Sequence, residues 1–279
     1  MDFNFDYSNL IEVMRDNMID YSEPVTARLK RTGLNLKEVL TLKDNCVIKT
    51  KFNNPLLELY NKIQLSKSVL GTAVQTYIDI KFSVFEVFNL VELFYSEEYN
   101  EIKHLLKSNN ENDLITFCVL YANLVNQSRI LTYEFMEIDL KLIDNNVREY
   151  ITKAYENTIK FLKNYSLKIE YSEVGFQLFH QFKIGYSRCY GDLDYITNKG
   201  ILDLKCVKNP LKAVNLCQQL AYLVMGKYGK NDKNISKELF ENMSNVMCYN
   251  PLLDELIAVD LNKFNKEALF LTKLFNECY

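Results

Sequence analysis

The chain of 279 residues has no tryptophan, 2 histidines, 8 glycines and 4 prolines. So few glycines and prolines exclude long flexible linkers, and 48% hydrophobic with 25% charged residues is the balance of an ordered globular protein. His104 and His180 stand alone and far apart, so neither reads as a ligand; His104 falls in a helical stretch and His180 on a strand. The chain also lacks a Cys-x-x-Cys pair: its 7 cysteines (Cys46, Cys118, Cys189, Cys206, Cys217, Cys248, Cys278) are odd in number and scattered. With no secretory leader in MDFNFDYSNL, they are expected to be reduced thiols in a cytoplasmic protein. A positive excess is missing too: 33 basic against 36 acidic residues leave a net charge of −3, so a polyanion needs a local basic patch or a bound cation. Long apolar runs are absent. The most membrane-like one, Phe82 to Tyr95, is interrupted by Glu86, Asn89 and Glu92, reads as a polar stripe on a mostly buried helix, and predicts no membrane segment.

What is present divides by hydrophobic grammar. Residues 1–64 form an N-terminal region read as helical, with apolar clusters between polar turns and no functional signal. From Leu65 to Tyr95 apolar residues recur at helical spacing (Val69, Ala73, Tyr77, Ile80, Val84). Ser108 to Asn112 reads as a loop, and Leu114–Val125 and Ile130–Ile143 as two helices. Asp144 to Asn146 offer N-cap chemistry for a helix over Val147–Asn164. At Ser166 the pattern turns to alternation, predicting strands near 166–171, 175–184, 190–196 and 201–206. A helix near 210–226 follows, with Asn209 as cap, Pro210 in its first turn and Gly226 or Gly229 as its stop. A short helix, strands near 245–249 and 256–260, and a helix over 263–276 complete an α+β chain.

The segment GDLDYITNKGILDLK concentrates the chemistry. Either a two-residue Asn198-Lys199 loop or a four-residue loop pairs Ile196 with Ile201, and both set Asp194 across from Asp203 and Asp192 across from Lys205. Alternation then puts those four charges on one face and Leu193, Tyr195, Leu202 and Leu204 on the other. Two carboxylates directly opposite destabilise a sheet unless a cation compensates them, and Mg²⁺ suits two such oxygens. Lys205, beside them, can orient or help deprotonate a water. A solvated hairpin face with Lys205 neutralising the acids satisfies the same pattern. On the next helix Gln218 and Tyr222 share a face at i and i+4 and can bond a substrate strand or the lysine; a polar helix boundary meeting water is the alternative.

The ordered set Gly191-Asp192-Leu193-Asp194, Asp203-Leu204-Lys205 and Gln218-Gln219-Leu220-Ala221-Tyr222 resembles the GxxD, (D/E)xK and QxxxY series of RecB-like nucleases in the PD-(D/E)xK superfamily. The likeness is strong over 191–226 and extends weakly over about 65–260. It implies a restriction-endonuclease-like core, a mixed central sheet flanked by helices, in a domain over 65–279 with a helical insertion at about 80–165. The implied activity is Mg²⁺- or Mn²⁺-dependent hydrolysis of DNA phosphodiester bonds, as in a phage or mobile-element processing exonuclease. Asp194 and Asp203 would hold the metal, with the backbone carbonyl of Cys206 as third ligand. Lys205 would position the water, Gln218 and Tyr222 would organise that lysine and the DNA, and Lys208 and Lys212 would bind substrate. Besides DNA, the partners to consider are a second copy of the chain or a recombination or replication protein. One departure stands out: Gln75 occupies the place of a metal-binding histidine, and Glu173 is the replacement acid to weigh against an ordinary strand-edge glutamate. An amide at that place also permits a catalytically weakened fold that binds nucleic acid or protein without cutting. Only Cys248 and Cys278 follow the Gln-Tyr helix, so no iron–sulfur cluster is expected.

Overall fold

The computed structural model describes residues 21–31, 40–41, 43–52, 55–130, 136–181 and 186–266. Strand β1 (Tyr21–Pro24) runs into helix α1 (Val25–Arg31), and β2 (Val47–Lys51) and α2 (Leu57–Lys62) follow. The first 64 residues, read as helical, thus contribute two strands. Helix α3 (Lys67–Lys81) begins where the Ser66 hydroxyl accepts from the Val69 amide. The helical pattern expected to continue to Tyr95 instead breaks at Ser83, which takes a left-handed φ of 57°. Residues 84–88 are non-helical before α4 (Asn89–Phe94) and α5 (Ser96–Leu106). The aromatic and β-branched residues of FSVFEVF lose side-chain freedom in a helix, and a helical spacing of apolar residues did not outweigh that.

Helix α6 (Glu111–Ile130) is longer than expected, and the helix expected over 130–143 is not there in the described part of that range. Its place is taken by an irregular segment and one 3₁₀ turn, Leu140–Leu142. Helix α6 supplies the partners instead: Gln127 accepts from the Met136 amide at 2.8 Å, while Gln127 and Asn123 both donate to the Met136 carbonyl at 2.8 Å. Side chains of α6 satisfy that backbone, so it needs no helix of its own. Helix α7 (Asn145–Asn164) begins as expected, with Asp144 accepting from the Val147 amide at 3.0 Å.

The strands expected at 166–171 and 175–184 are one element, β3 (Ile169–Gln181), which bends rather than stops at Glu173. It pairs along its length with β4 (Tyr186–Thr197), and a two-residue Asn198-Lys199 loop leads to β5 (Gly200–Leu204). Helix α8 (Ala213–Tyr228) starts after Lys212, whose amide donates to Asn215 Oδ1 at 2.9 Å, and not at Asn209–Pro210. Gly226 is no stop: it lies inside α8, fully buried against Phe240 of α9 (Lys237–Glu241), and the helix ends at Gly229. β6 (Lys230–Asn231) precedes α9, and β7 (Asn245–Asn250) and β8 (Glu255–Asp260) follow it. Of the helix expected over 263–276, most lies outside the described residues.

The strands make one mixed sheet in the order β2-β8-β7-β5-β4-β3-β6, with β1 lying parallel beside the first half of β4. β5 and β7 are parallel and connected through α8; the other pairs on the path are antiparallel. Alternation sends Tyr195, Leu202, Met247 and Tyr249 to a core shared with α2–α7, and Ile196, Ile201, Val246 and Cys248 to a core shared with α1, α8 and α9. The result is an α+β sheet flanked by helices on both faces. Among the described residues, no helix is long and apolar enough to cross a membrane. Cys46, Cys118, Cys189, Cys206, Cys217 and Cys248 are free thiols.

Candidate active site

The hairpin pairs Tyr195 with Leu202, Ile196 with Ile201 and Thr197 with Gly200, the register the turn chemistry implies. Beyond Tyr195 the two strands part. Asp194 and Asp203 are next in that register but are not ladder partners; instead the Leu204 amide donates to Asp194 Oδ2 at 2.8 Å. Lys205 binds its own neighbour, Asp203 Oδ1, at 2.9 Å, and the Cys248 thiol lies 3.5 Å from Asp203 Oδ2. Asp192 does not face Lys205. It pairs with Gly175 of β3, where its carboxylate and that of Asp232 converge.

The expected two-face alternation also fails at one point. Leu193 belongs to the core of Ile196 and Ile201, whereas Tyr195 belongs to the opposite one, so β4 switches faces between them. The partner strand switches at the same place: Ser172 bonds the Val84 carbonyl on one side, and Val174 packs on the other. Between those pairs Glu173 comes opposite Asp194, with a left-handed φ of 48°. A non-glycine residue held there is strained, and such strain persists only where surrounding structure imposes it. The switch lies where the acids gather, beside the point at which β4 and β5 part.

These residues line a cleft of about 620 Å³. Helix α3 contributes Lys67, Ser68, Gly71, Thr72 and Gln75 along one face. The sheet contributes Glu173, Asp192, Asp194, Asp203 and the Lys205–Val207 run, and α8 contributes Gln218 and Tyr222. Gln218 Nε2 donates to Tyr222 Oη at 3.2 Å, which leaves the phenol proton for another acceptor. Glu173 and Gln75 both line this cleft. Lys208 lies outside it, but its ammonium is 5.5 Å from the Tyr60 ring centroid whose other neighbour, at 4.7 Å, is the cleft residue Lys67. Lys212 is exposed at the start of α8 and is not brought to the cleft.

Burial and the adjacent Asp203 carboxylate push Asp194 up to about 7, against the pull of Lys205, the Leu204 amide and Arg129. Burial also raises Glu173 and Asp192. Burial opposes the Lys205 charge, but Asp203 and Asp194 outweigh it and hold the ammonium well above the ordinary lysine range. Lys205 is thus a fixed donor and cation here, not a base. Acids raised in this way mark a site short of positive charge, and a hard divalent ion is the natural complement to two carboxylates, water and a backbone carbonyl. Among the described residues no group of three His, Cys, Asp or Glu side chains could hold a metal.

The sign of the resulting pH dependence is definite. An unperturbed carboxyl titrates near ~3.9. The folded protein keeps the Asp194 proton up to about 7, so between those values it binds more protons than the unfolded chain and loses stability as pH rises. A metal ion held by Asp194 would compete with that proton. The melting temperature of metal-free protein is expected to fall from about pH 5 to about pH 8, while the stabilisation by added Mg²⁺ or Mn²⁺ grows over the same interval. A metal shift that does not change with pH would exclude proton-coupled binding at Asp194.

Two contributions escape a sequence reading. Arg129, at the end of α6, lies over the Phe88 ring at 5.2 Å, and both line the cleft. Glu86 and Lys233, 147 residues apart, form an ion pair between two lining segments. No local pattern marks such residues, because their neighbours are distant in sequence.

Gly191 has a precise spatial role in the first motif. A Cβ there would lie 2.8 Å from Tyr222 Cε1, 3.0 Å from its hydroxyl and 3.1 Å from Val25 Cγ1. The Tyr222 ring stacks on Phe176 with centroids 6.0 Å apart and has little room to retreat. Gly191→Ala is expected to cost about 1–3 kcal/mol through overpacking. It is also expected to displace the phenol and, in an enzyme that uses this phenol, to cut turnover at least ~10-fold. Parallel melting and rate measurements test this, and unchanged turnover would remove Tyr222 from the working set. Compared with known proteins, the chain matches no family model and no curated sequence, so its reading rests on this geometry and on the order of its motifs.

Proposed function

We propose that the protein is a metal-dependent deoxyribonuclease with a restriction-endonuclease-like core and a RecB-like motif order. The observation that carries this reading is the cleft itself: Gln75, Glu173, Asp194, Asp203, Lys205, Gln218 and Tyr222, from separate elements, all line one cavity. A solvated hairpin face would not bury Asp203 to 2% exposure or gather these groups around it.

Asp194 and Asp203, with the Cys206 carbonyl, are the residues that would hold Mg²⁺ or Mn²⁺. A bound ion supplies positive charge for the phosphoryl oxygens and an acidified water as nucleophile. Lys205, protonated and anchored on Asp203, orients that water through its remaining N–H donors. Tyr222, whose oxygen already accepts from Gln218, donates its proton to a phosphate oxygen. Burial raises the Tyr222 phenol, which keeps it a donor across neutral pH. Glu173, facing Asp194, adds negative charge that favours the cation.

The test is hydrolysis of labelled single- and double-stranded DNA by purified protein in Mg²⁺, in Mn²⁺ and in EDTA. Cleavage that needs the metal supports the reading; none in either metal overturns it. Binding without cutting is the second reading, favoured by Gln75, because an amide oxygen is a weaker ligand than imidazole for Mn²⁺. Calorimetric titration with Mn²⁺ separates the two, since a fold that has lost catalysis through lost metal affinity shows no binding heat.

A further inference from the structure

The cleft carries side chains that an acid pair and its metal do not need. Phe88 lies on the segment between α3 and α4, and the Arg129 guanidinium sits over its ring at 5.2 Å. The platform is anchored: the Phe88 amide donates to Tyr121 Oη at 2.7 Å, and Tyr121 stacks on Phe117 in the core with centroids 5.6 Å apart. Arg129 is exposed, and its charge reaches Glu173, Asp192 and Asp194, so the platform opens beside the acids. Tyr190, 39% exposed on β4, also lines the cleft. Lys67 and Lys208, flanking the Tyr60 ring, supply positive charge at its margin.

A duplex hides its base faces and presents two phosphate backbones, so it calls for a broad basic surface. This chain has a net charge of −3 and an acid-lined cleft floor. An unpaired strand exposes base faces that stack on aromatic rings and guanidinium planes, and it needs only a narrow groove with a few cations. The Glu86–Lys233 ion pair ties two of the lining segments together.

We propose that the cleft takes an unpaired nucleic-acid strand, one base stacking on the Phe88–Arg129 pair and a backbone phosphate meeting Lys67 and Lys208. This extends the nuclease reading of the same cleft by naming its substrate class and its base platform.

Fluorescence anisotropy with a labelled oligothymidylate and with a hairpin duplex of equal length tests it. Ca²⁺ in the buffer serves as the hard cation. Wild type is expected to bind the single strand at least ~10-fold more tightly than the duplex, and Phe88→Ala to weaken that binding by ~10-fold or more. Because Phe88 is half-buried, Phe88→Leu and the exposed Arg129→Lys serve as second variants. Both keep bulk or charge but lose a flat surface, and each is expected to weaken single-strand binding ~5-fold or more while leaving the melting temperature unchanged. Equal affinity for duplex, or variants that bind the single strand as wild type does, would overturn the proposal. Metal-dependent cleavage measured separately would then still stand. Conversely, single-strand binding that depends on the platform, in a protein that never cuts, supports this proposal and removes the nuclease reading.

Discussion

Asp203→Asn is expected to leave the protein folded and to reduce metal-dependent cleavage by at least ~10²-fold. The activity loss would follow from removing one of the two carboxylates proposed to hold the cation, since loss of one electrostatic group in an active site typically costs ~10²–10³. The stability outcome is less obvious. Asp203 is buried and bound to Lys205, and breaking a buried pair by removing one partner often costs several kcal/mol. Here a second carboxylate, Asp194, is already close enough to raise the Lys205 pKa. Burial still raises Asp194, but neutralising Asp203 removes the repulsion that adds to it, and Asp194 then serves as counter-ion to the lysine. The melting temperature at pH 8 should therefore stay near that of wild type or rise, the pattern of a residue kept for function at the expense of stability. Lys205→Ala is the informative counterpart. It leaves Asp194 and Asp203 together with no lysine between them, so its stability should fall more steeply with rising pH than wild type and recover on adding Mg²⁺ or Mn²⁺. If Asp203→Asn unfolds, or if it cleaves like wild type, the assignment of Asp203 fails.

Gly200→Ala should behave in the opposite way, losing fold and function together. Gly200 has a φ of 152°, and a Cβ there would lie 1.8 Å from the Asn245 carbonyl oxygen. That neighbour is backbone, held in the parallel β5–β7 pair, and cannot turn aside as a side chain might. The same turn is anchored from the other side, where the Lys199 carbonyl accepts from the Ser244 and Asn245 amides at 3.0 and 3.1 Å. Backbone strain of ~1–3 kcal/mol and overpacking of similar size add here, so a destabilisation of about 3 kcal/mol or more is expected in urea denaturation. Because β5 carries Asp203 and sets its place beside Asp194, cleavage should fall in proportion to the loss of folded protein and register. A fully stable Gly200→Ala protein would mean that the β5–β7 pairing at the turn is wrong.

Legibility followed the range of the interactions. The Asp144 cap and the Ile196–Ile201 register were readable because capping and two-residue turns depend on adjacent residues. The break at Ser83 was not, since helical spacing and a non-helical aromatic run coincide there. Nor was the irregular segment around Met136, whose backbone is satisfied by Asn123 and Gln127 of the preceding helix. Glu173 was ambiguous for a related reason: as a letter it is a strand glutamate, and only its left-handed backbone opposite Asp194 turns it into the cleft.

The sequence by itself determined the Asn198-Lys199 turn, the register from Tyr195–Leu202 to Thr197–Gly200 and the order of the motifs, because turn chemistry acts within a few residues. Only the tertiary structure decided that Gln75 and Glu173 line the same cleft as Asp194 and Asp203, that Asp192 turns to Asp232 instead, that Lys212 stays outside, and that Phe88, Arg129 and Lys67 complete the cleft. Those outcomes depend on how α3, α6 and α8 pack on a sheet that switches faces at Glu173 and Asp194. Packing of that kind is settled by volume and burial across the whole chain, and a local pattern carries no record of it.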